Sequence, residues 1–82
     1  MALFVPPVRL AKALGESVVR SQAATLGALL EEIRVRVKPE EWLEVERAAI
    51  LINGRAAHRV GGAGAALGPD DQVWMVFPAA GG

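Results

Sequence analysis

Few side chains in this sequence are suited to chemistry, and none of them lies in a recognisable catalytic motif. The candidate nucleophiles and bases are Ser17, Ser21, Thr25 and His58. Catalysis requires a nucleophile or an acid–base pair held within mutual reach, and no partner at a suitable spacing accompanies these residues. The side chains therefore predict no self-contained catalytic site.

Two pairs of neighbouring acids are the other candidates, Glu40 with Glu41 and Asp70 with Asp71. The first pair follows a proline, which is typical of the first turn of a helix. The second pair lies in a turn, where aspartate is favoured for conformational reasons. With no cysteine and one histidine, thiolate metal sites and disulfides are excluded. We therefore expect a chain that is not an enzyme and that holds neither a metal nor a cofactor.

The C-terminal carboxylate is the remaining group with chemical potential. The apolar run at residues 73–77 is followed by Pro78, Ala79, Ala80, Gly81 and Gly82. Glycine lets a backbone approach another surface closely, and five extended residues span about 16–18 Å. We expect residues 1–77 to form the folded domain and residues 78–82 a flexible tail that reaches into a partner's active site. A tail without any function fits the same composition.

Activation followed by sulfur transfer is the chemistry open to such a terminus. An α-carboxylate, with a reference pKa of about 3.3–3.7, is ionised and unreactive at neutral pH. Joining it to AMP gives an activated acyl group, and sulfur transfer to the carbonyl then gives a thiocarboxylate, a far better nucleophile. Glycine leaves the carbonyl of Gly82 unobstructed, and Gly81 keeps the approach narrow.

Size and composition limit the kinds of partner. Nine basic and nine acidic side chains give the 82 residues a formal net charge of zero, which argues against nucleic acid or an anionic membrane as partner. No apolar run approaches the ~20 residues of a membrane span, and no signal peptide opens the sequence. The hydrophobic fraction of 52% predicts one small domain with a packed core and an apolar binding face. We expect a cytoplasmic protein.

The first quarter of the chain predicts two strands that pair as a wide antiparallel hairpin. Residues 3–10 open as a strand that Pro6 and Pro7 must interrupt, because proline cannot donate to a ladder. Residues 11–15 are typical of a helical turn closed by glycine, and residues 17–21 of a second strand.

One amphipathic helix is the strongest element in the pattern. Thr25 is a suitable N-cap, and apolar residues recur at helical spacing at Leu26, Leu29, Leu30, Ile33 and Val37. These positions share one face of a helix. Pro39 disfavours helical conformation at Lys38, so we expect the helix to end there.

The second half predicts a short helix and then strands. Residues 39–46 favour the helix, residues 48–52 a strand, and Asn53-Gly54 a tight turn into a brief return strand at residues 55–60. The glycine-rich residues 61–68 lack the Lys-Ser/Thr of a phosphate loop, and so predict a flexible surface loop.

The last strand, residues 73–77, is apolar on both faces, which is typical of a central strand. Side chains alternate across a strand. If Val73 and Met75 face the helix, Trp74 and Val76 therefore lie on the outside.

Three stretches carry a resemblance to a known family. They are Ile52-Asn53-Gly54 after a strand, the Leu-x-x-x-Asp-x-Val pattern of residues 67–73, and Val76-Phe77-Pro78 before Gly81-Gly82. With the order of elements, the whole chain resembles the ubiquitin-like sulfur carriers, the family of the small subunit of molybdopterin synthase (MoaD) and the thiamine sulfur carrier (ThiS). It is most similar to the molybdopterin branch. The resemblance implies an α+β protein with the β-grasp fold, a mixed sheet of four to five strands with one main helix packed across it.

The resemblance also implies a sequence of partners. A ubiquitin-activating-type enzyme would use ATP to adenylate Gly82, and a sulfurtransferase or desulfurase would supply the sulfur of the thiocarboxylate. The tail would then enter the large subunit of molybdopterin synthase and donate sulfur to the pterin precursor. The implied partner-binding residues are Trp74, Val76, Phe77, Pro78, Ala79 and Ala80, and the reactive end is Gly81 and Gly82.

Other functions stay open at the level of sequence. Within the same chemistry, the acceptor is a precursor in thiamine, tRNA thiolation or cysteine synthesis, or the chain is a modifier joined to lysines. In a different class, the domain is a β-grasp interaction module whose Gly-Gly ending is incidental.

Overall fold

The computed structural model describes residues 1–77, and the predicted tail at residues 78–82 lies outside the described residues. The elements, in chain order, are β1 (Ala2–Val5), α1 (Val8–Leu14), β2 (Val19–Ser21), α2 (Leu26–Arg34), α3 (Pro39–Val45), β3 (Ala49–Ile52), β4 (Arg55–Ala56) and β5 (Gln72–Val76). Two 3₁₀ turns, Ala57–Arg59 and Gly62–Gly64, lie between β4 and β5.

The described strands form one mixed sheet in the order β2-β1-β5-β3-β4. β1 and β5 run parallel at its centre, and each of the other neighbouring pairs is antiparallel. α2 supplies three buried side chains, Leu26, Leu29 and Ile33, which pack with Phe4 and Val73 of the central strands in one core. This arrangement confirms the predicted α+β class and β-grasp fold, including the central position of the last strand.

The main helix begins where the sequence predicts and ends earlier. The Thr25 hydroxyl accepts a hydrogen bond from the Ala28 amide at 3.2 Å, as an N-cap does. The helix ends at Arg34 rather than near Lys38. The Val37 amide bonds back three residues, to the carbonyl of Arg34, and bonds of this kind tighten and close a helix. Val37 still packs against the core, although it lies beyond the helix.

The boundary between the first strand and the first helix differs from the prediction, which placed a strand at residues 3–10 and a helical turn at residues 11–15. β1 stops at Val5, and α1 begins at Val8 with Pro7 as its N-cap residue. The fixed φ of proline is compatible with a helix start, and its missing N–H cannot continue the ladder, so the strand ends and a helix begins at the pair of prolines. Gly15 ends α1 in the left-handed conformation at φ 76°, as its position predicted.

The predicted return strand at residues 55–60 is reduced to Arg55–Ala56. Ala57 is buried in the core, and the chain turns there into a 3₁₀ helix. Burial of the Ala57 side chain thus takes the chain out of the sheet after two residues. The tight turn at Asn53-Gly54 is present, with Asn53 at φ 52° and Gly54 at φ 84°.

The glycine-rich loop at residues 61–68 is hydrogen-bonded to the rest of the domain through Ala65 and Leu67. The expectation of a flexible surface loop is therefore wrong for these residues. Ala65 is buried, and its carbonyl accepts a hydrogen bond from the Leu26 amide at 2.9 Å. The Leu67 amide donates to the Ala24 carbonyl at 2.9 Å. These two bonds hold the loop against the start of α2.

Small side chains make this attachment possible. A Cβ added to Gly27 of α2 would lie 3.0 Å from the carbonyl oxygen of Ala63 in the loop. That separation is too short for ordinary packing, so the loop and the helix approach each other closely because residue 27 has no side chain.

Within residues 1–77, no helix has the length and apolar character needed to cross a membrane.

Candidate functional site: an exposed apolar strand face and the root of the tail

The predicted reactive end lies outside the described residues, so the described part of the site is β5 and its surroundings. β5 pairs with β1 on one side and with β3 on the other. A strand bonded on both sides is a rigid support, and the tail residues Pro78, Ala79, Ala80, Gly81 and Gly82 follow directly after it in sequence.

β5 alternates between the core and the outer surface as predicted. Val73 and Met75 are buried beneath α2, whereas Trp74 is 42% exposed. Val76 is half-buried, and Phe77 is 44% exposed. Three predicted partner-binding residues therefore leave apolar surface accessible on the side of the sheet away from α2, or at the end of the strand.

Trp74 is the centre of that outer face. It lies in register with Val5 of β1 on one side and Leu51 of β3 on the other, and both neighbours are half-buried. Its indole Nε1 donates to Oε1 of Gln72 at 3.3 Å. The indole is thus positioned by its neighbours while a large apolar area stays accessible, which is the usual character of an interface anchor.

Two of the candidate nucleophiles, Ser21 and Thr25, have structural roles. The hydroxyl of Ser21 is buried, donates to Oε1 of Glu32 at 2.8 Å and accepts from the Ala23 amide at 3.0 Å. Thr25 caps α2. His58 is exposed on a 3₁₀ turn. Among residues 1–77, these side chains are not brought together into one site.

The two acidic pairs are also explained by local structure. Glu41 accepts from the Lys38 amide at 2.9 Å at the start of α3, as the helix prediction implies. Asp71 accepts from the Gly68 amide at 2.7 Å and from Nδ2 of Asn53 at 2.9 Å. These two donors, the backbone bond first, hold the pKa of Asp71 below its ordinary value.

Asn53 and Asp71 belong to separate sequence motifs, and their contact was not predicted from the sequence. The Asn53 side chain also accepts from the Gln72 amide at 2.9 Å, so it ties the β3–β4 turn to the first residue of β5. In the described residues, no group of three His, Cys, Asp or Glu side chains is placed to hold a metal ion.

A groove beside the end of β5 is the second feature that sequence reasoning missed. It lies between residues 5–9 and residues 74–77 and has a volume of about 450 Å³. Pro6 and Pro7 are the sequence signal for this groove. β1 ends where these prolines begin, so β5 continues without a neighbouring strand on that side.

The fold and this site define a class of protein. It is a small β-grasp protein with an exposed apolar strand that leads toward a Gly-Gly ending. The chain belongs to the ThiS family, which its sequence matches over residues 1–82. This is the family of ubiquitin-like sulfur carriers, small proteins that are generally not catalysts themselves.

Solved structures agree with the fold. CysO in the BexX/CysO complex of Amycolatopsis orientalis superposes with a TM-score of 0.80 at 18% identity, covering 100% of both chains. SAMP1 of Methanosarcina acetivorans gives 0.80 at 17% identity, with 99% of this chain and 95% of that chain covered. CysO of Mycobacterium tuberculosis gives 0.79 at 17% identity, with 96% and 100% covered. A search of curated proteins yields no significant match.

Proposed function

We propose that this protein is a sulfur carrier whose Gly82 carboxylate is adenylated and then converted to a thiocarboxylate, and that the sulfur serves the synthesis of molybdopterin. The observation that carries this proposal is the family match, which extends through Gly81 and Gly82. The Phe77-Pro78 pair before the small residues is the feature that favours the molybdopterin branch.

The chemistry has two steps, and the catalytic groups for both belong to other proteins. The Gly82 carboxylate attacks the α-phosphorus of ATP on an adenylating enzyme, which forms an acyl adenylate and releases pyrophosphate. Hydrosulfide, released from the persulfide of a sulfurtransferase or desulfurase by a thiol reductant that is oxidised to a disulfide, then adds to the acyl carbon, and AMP leaves. ATP is thus consumed by the partner enzyme, and the carrier binds no cofactor of its own. We place these steps in the cytoplasm.

The domain acts as the handle for this tail. Residues 1–77 provide the recognised body, and residues 78–82 are the part that enters the partner. Trp74, Val76 and Phe77 dock on the large subunit of molybdopterin synthase, since burying a tryptophan and its apolar neighbours supplies most of the affinity of a typical interface. Pro78, Ala79 and Ala80 line the entrance of the partner's channel.

A second candidate function is conjugation or sulfur delivery in another pathway. The likeness to a protein named small archaeal modifier protein 1, and to CysO, is what favours it. In this version the activated Gly82 is attacked by a lysine amine of a target protein, or its thiocarboxylate donates sulfur to a small-molecule acceptor in thiamine, cysteine or tRNA metabolism.

Intact-mass measurement tests the shared chemistry. The full chain is incubated with ATP, its adenylating enzyme and a sulfur donor, and we expect one oxygen to be replaced by sulfur at Gly82. An unchanged mass in the presence of a demonstrably active adenylating enzyme contradicts the proposal.

The acceptor is tested with the thiocarboxylate form. Added to the large subunit of molybdopterin synthase and its pterin precursor, the carrier should lose its sulfur and the dithiolene should form. Retention of the sulfur, together with lysine-linked adducts in cell extract, supports the modifier instead.

A further inference from the structure

A second groove, here called the β4 groove, lies at the end of the sheet opposite the tail. Its volume is about 390 Å³, and it is lined by Ile52, Asn53, Arg55, Val60, Ala65 and Ala66. Ile52 pairs with Val73 near the start of β5, whereas Phe77 follows the end of that strand. The β4 groove therefore shares no residue with the Trp74 face or with the groove beside the end of β5.

The β4 groove has an apolar floor and a positively charged rim. Four of its six lining residues are apolar, and Val60 among them is 37% exposed. Arg55 lines the groove and Arg59 precedes Val60, and both arginines are exposed. Within residues 1–77, neither arginine makes an ion pair. The sequence has no acidic residue from position 47 to position 69. Such a groove suits an apolar side chain that has carboxylates beside it.

Helix α3 of the same chain presents a side chain of this kind. Leu43 is 63% exposed. Glu40 and Glu46 lie three residues before it and three residues after it, so both carboxylates are its neighbours on the helix surface. Both glutamates are exposed, and within residues 1–77 neither makes an ion pair. We call this surface of Glu40, Leu43 and Glu46 the Leu43 surface.

The Leu43 surface and the β4 groove lie toward opposite ends of the sheet. α3 ends at Val45 and leads into β3, whose first residue, Ala49, pairs with Val76 at the end of β5. The β4 groove lies at the other end, where Ile52 pairs with Val73. One molecule therefore cannot bring its own two surfaces together, but two molecules in head-to-tail order can.

We propose that Leu43 of one molecule enters the β4 groove of a second molecule, where Glu40 and Glu46 meet the arginines of the rim. The contact is heterologous, because one molecule contributes the leucine and the other contributes the groove. It is small and its ion pairs are exposed, so it belongs with the weak, transient interfaces. The proposal does not depend on the chemistry of Gly82, which takes no part in the contact.

Sedimentation velocity of the full chain over a range of concentrations tests the contact. At low salt, the wild type should be monomeric at micromolar concentration and should form head-to-tail dimers and longer chains at about 0.1–1 mM. Leu43→Asp and Arg55→Glu should each weaken this association at least tenfold. The control is Val35→Asp, which changes an exposed apolar residue at the end of α2 and should associate like the wild type. Melting temperatures check that the variants fold.

Mixing two variants tests the head-to-tail order. Leu43→Asp keeps an intact β4 groove, and Arg55→Glu keeps an intact Leu43 surface. An equimolar mixture should therefore form a dimer, although each variant alone stays monomeric at the same concentration. The dimer should grow no further, because its two outer surfaces are the damaged ones.

Salt tests the contribution of charge. Exposed ion pairs are screened by salt, so association of the wild type should weaken several-fold between about 50 mM and about 500 mM salt. Arg55→Gln should associate less at low salt and should lose less on addition of salt.

Three results would overturn the proposal. The first is a wild type that stays monomeric at about 1 mM and low salt. The second is association that Leu43→Asp and Arg55→Glu leave at the level of the Val35→Asp control. The third is a mixture of the two variants that stays monomeric or grows beyond a dimer. Each result leaves the adenylation of Gly82 untouched, so this proposal and the proposed function are tested separately.

Discussion

The side-chain amide of Asn53 donates a 2.9 Å hydrogen bond to Oδ1 of Asp71, 18 residues further along the chain. The other Asp71 oxygen accepts from the Gly68 amide, and the side-chain Oδ1 of Asn53 accepts from the Gln72 amide. This network joins the β3–β4 turn, the glycine-rich loop and the start of β5. It therefore fixes the position of the strand that leads to the tail.

The first prediction concerns acid stability. Because its two donors hold the pKa of Asp71 below the ordinary value of 3.8, the unfolded chain binds the proton more tightly than the folded one. The resulting stabilisation is complete above the unfolded value, and it is lost as the pH falls through the lower folded value. We expect Asp71→Asn to melt below the wild type at pH 7, with the gap closing as the pH falls below the ordinary value of 3.8.

Circular dichroism melting curves at several pH values measure this effect. Asp70→Asn is the matched control, because Asp70 is the exposed neighbour and its variant should keep the wild-type pH profile. A gap for Asp71→Asn that stays constant down to pH 2 would show that the loss is not linked to protonation.

The second prediction concerns the outer face of β5. Trp74→Ala should weaken binding of the sulfur-accepting partner by about 2 kcal/mol, roughly 30-fold, because the accessible indole is the largest apolar group on that face. Its melting temperature should change little, since much of the side chain is already exposed. Leu43→Ala, an exposed apolar truncation on α3, should leave binding unchanged, and equal affinities for the two variants contradict the assignment.

Fluorescence provides an independent readout of the same contact. The sequence has two tryptophans, and Trp42 packs against the core. In a Trp42→Phe variant the emission of Trp74 should shift to the blue on titration with the partner, since the indole leaves water. No shift at saturating partner would place the interface elsewhere.

The third prediction concerns the carboxylate. One serine added after Gly82 should abolish thiocarboxylate formation, because the Gly82 carboxyl is then an amide and cannot be adenylated. The melting temperature should be unchanged, because terminal residues contribute little packing. A serine added before Met1 is the control for the extra residue and should leave the mass shift intact. Sulfur uptake by the C-terminally extended chain would favour the interaction-module alternative.

The fourth prediction concerns the loop and helix contact. Gly27→Ala gains as much as ~1 kcal/mol of helix propensity, but the new methyl group meets the Ala63 carbonyl at 3.0 Å, and overpacking costs about 1–3 kcal/mol. We expect a net loss of about 1 kcal/mol, which lowers the melting temperature by about 4–8 °C.

Gly64→Ala is the matched control for that substitution. A Cβ at Gly64 has no atom within 4 Å, so its melting temperature should be unchanged or slightly higher. A Gly27→Ala variant as stable as Gly64→Ala would mean that the loop moves away at no cost.

Much of the fold follows from signals between near neighbours in the chain. The Thr25 cap, the left-handed Gly15, the Asn53-Gly54 turn and the alternation along β5 were all predicted correctly. Each depends on the backbone preferences or the periodicity of a few consecutive residues. The Gly-Gly ending, on which the proposed function depends, is likewise a property of the sequence alone.

The remaining features depend on which distant segments meet. Parallel pairing of β1 with β5 brings the two prolines beside Phe77 and so creates the groove, although about 70 residues separate them in sequence. The attachment of the glycine-rich loop to α2 and the bond between Asn53 and Asp71 have the same origin. The sequence by itself thus determined most of the helices and strands and the chemical end group. The tertiary structure decided the groove, the interior contacts and the points at which α2 and β4 end, because contact between remote residues is set by packing of the whole chain.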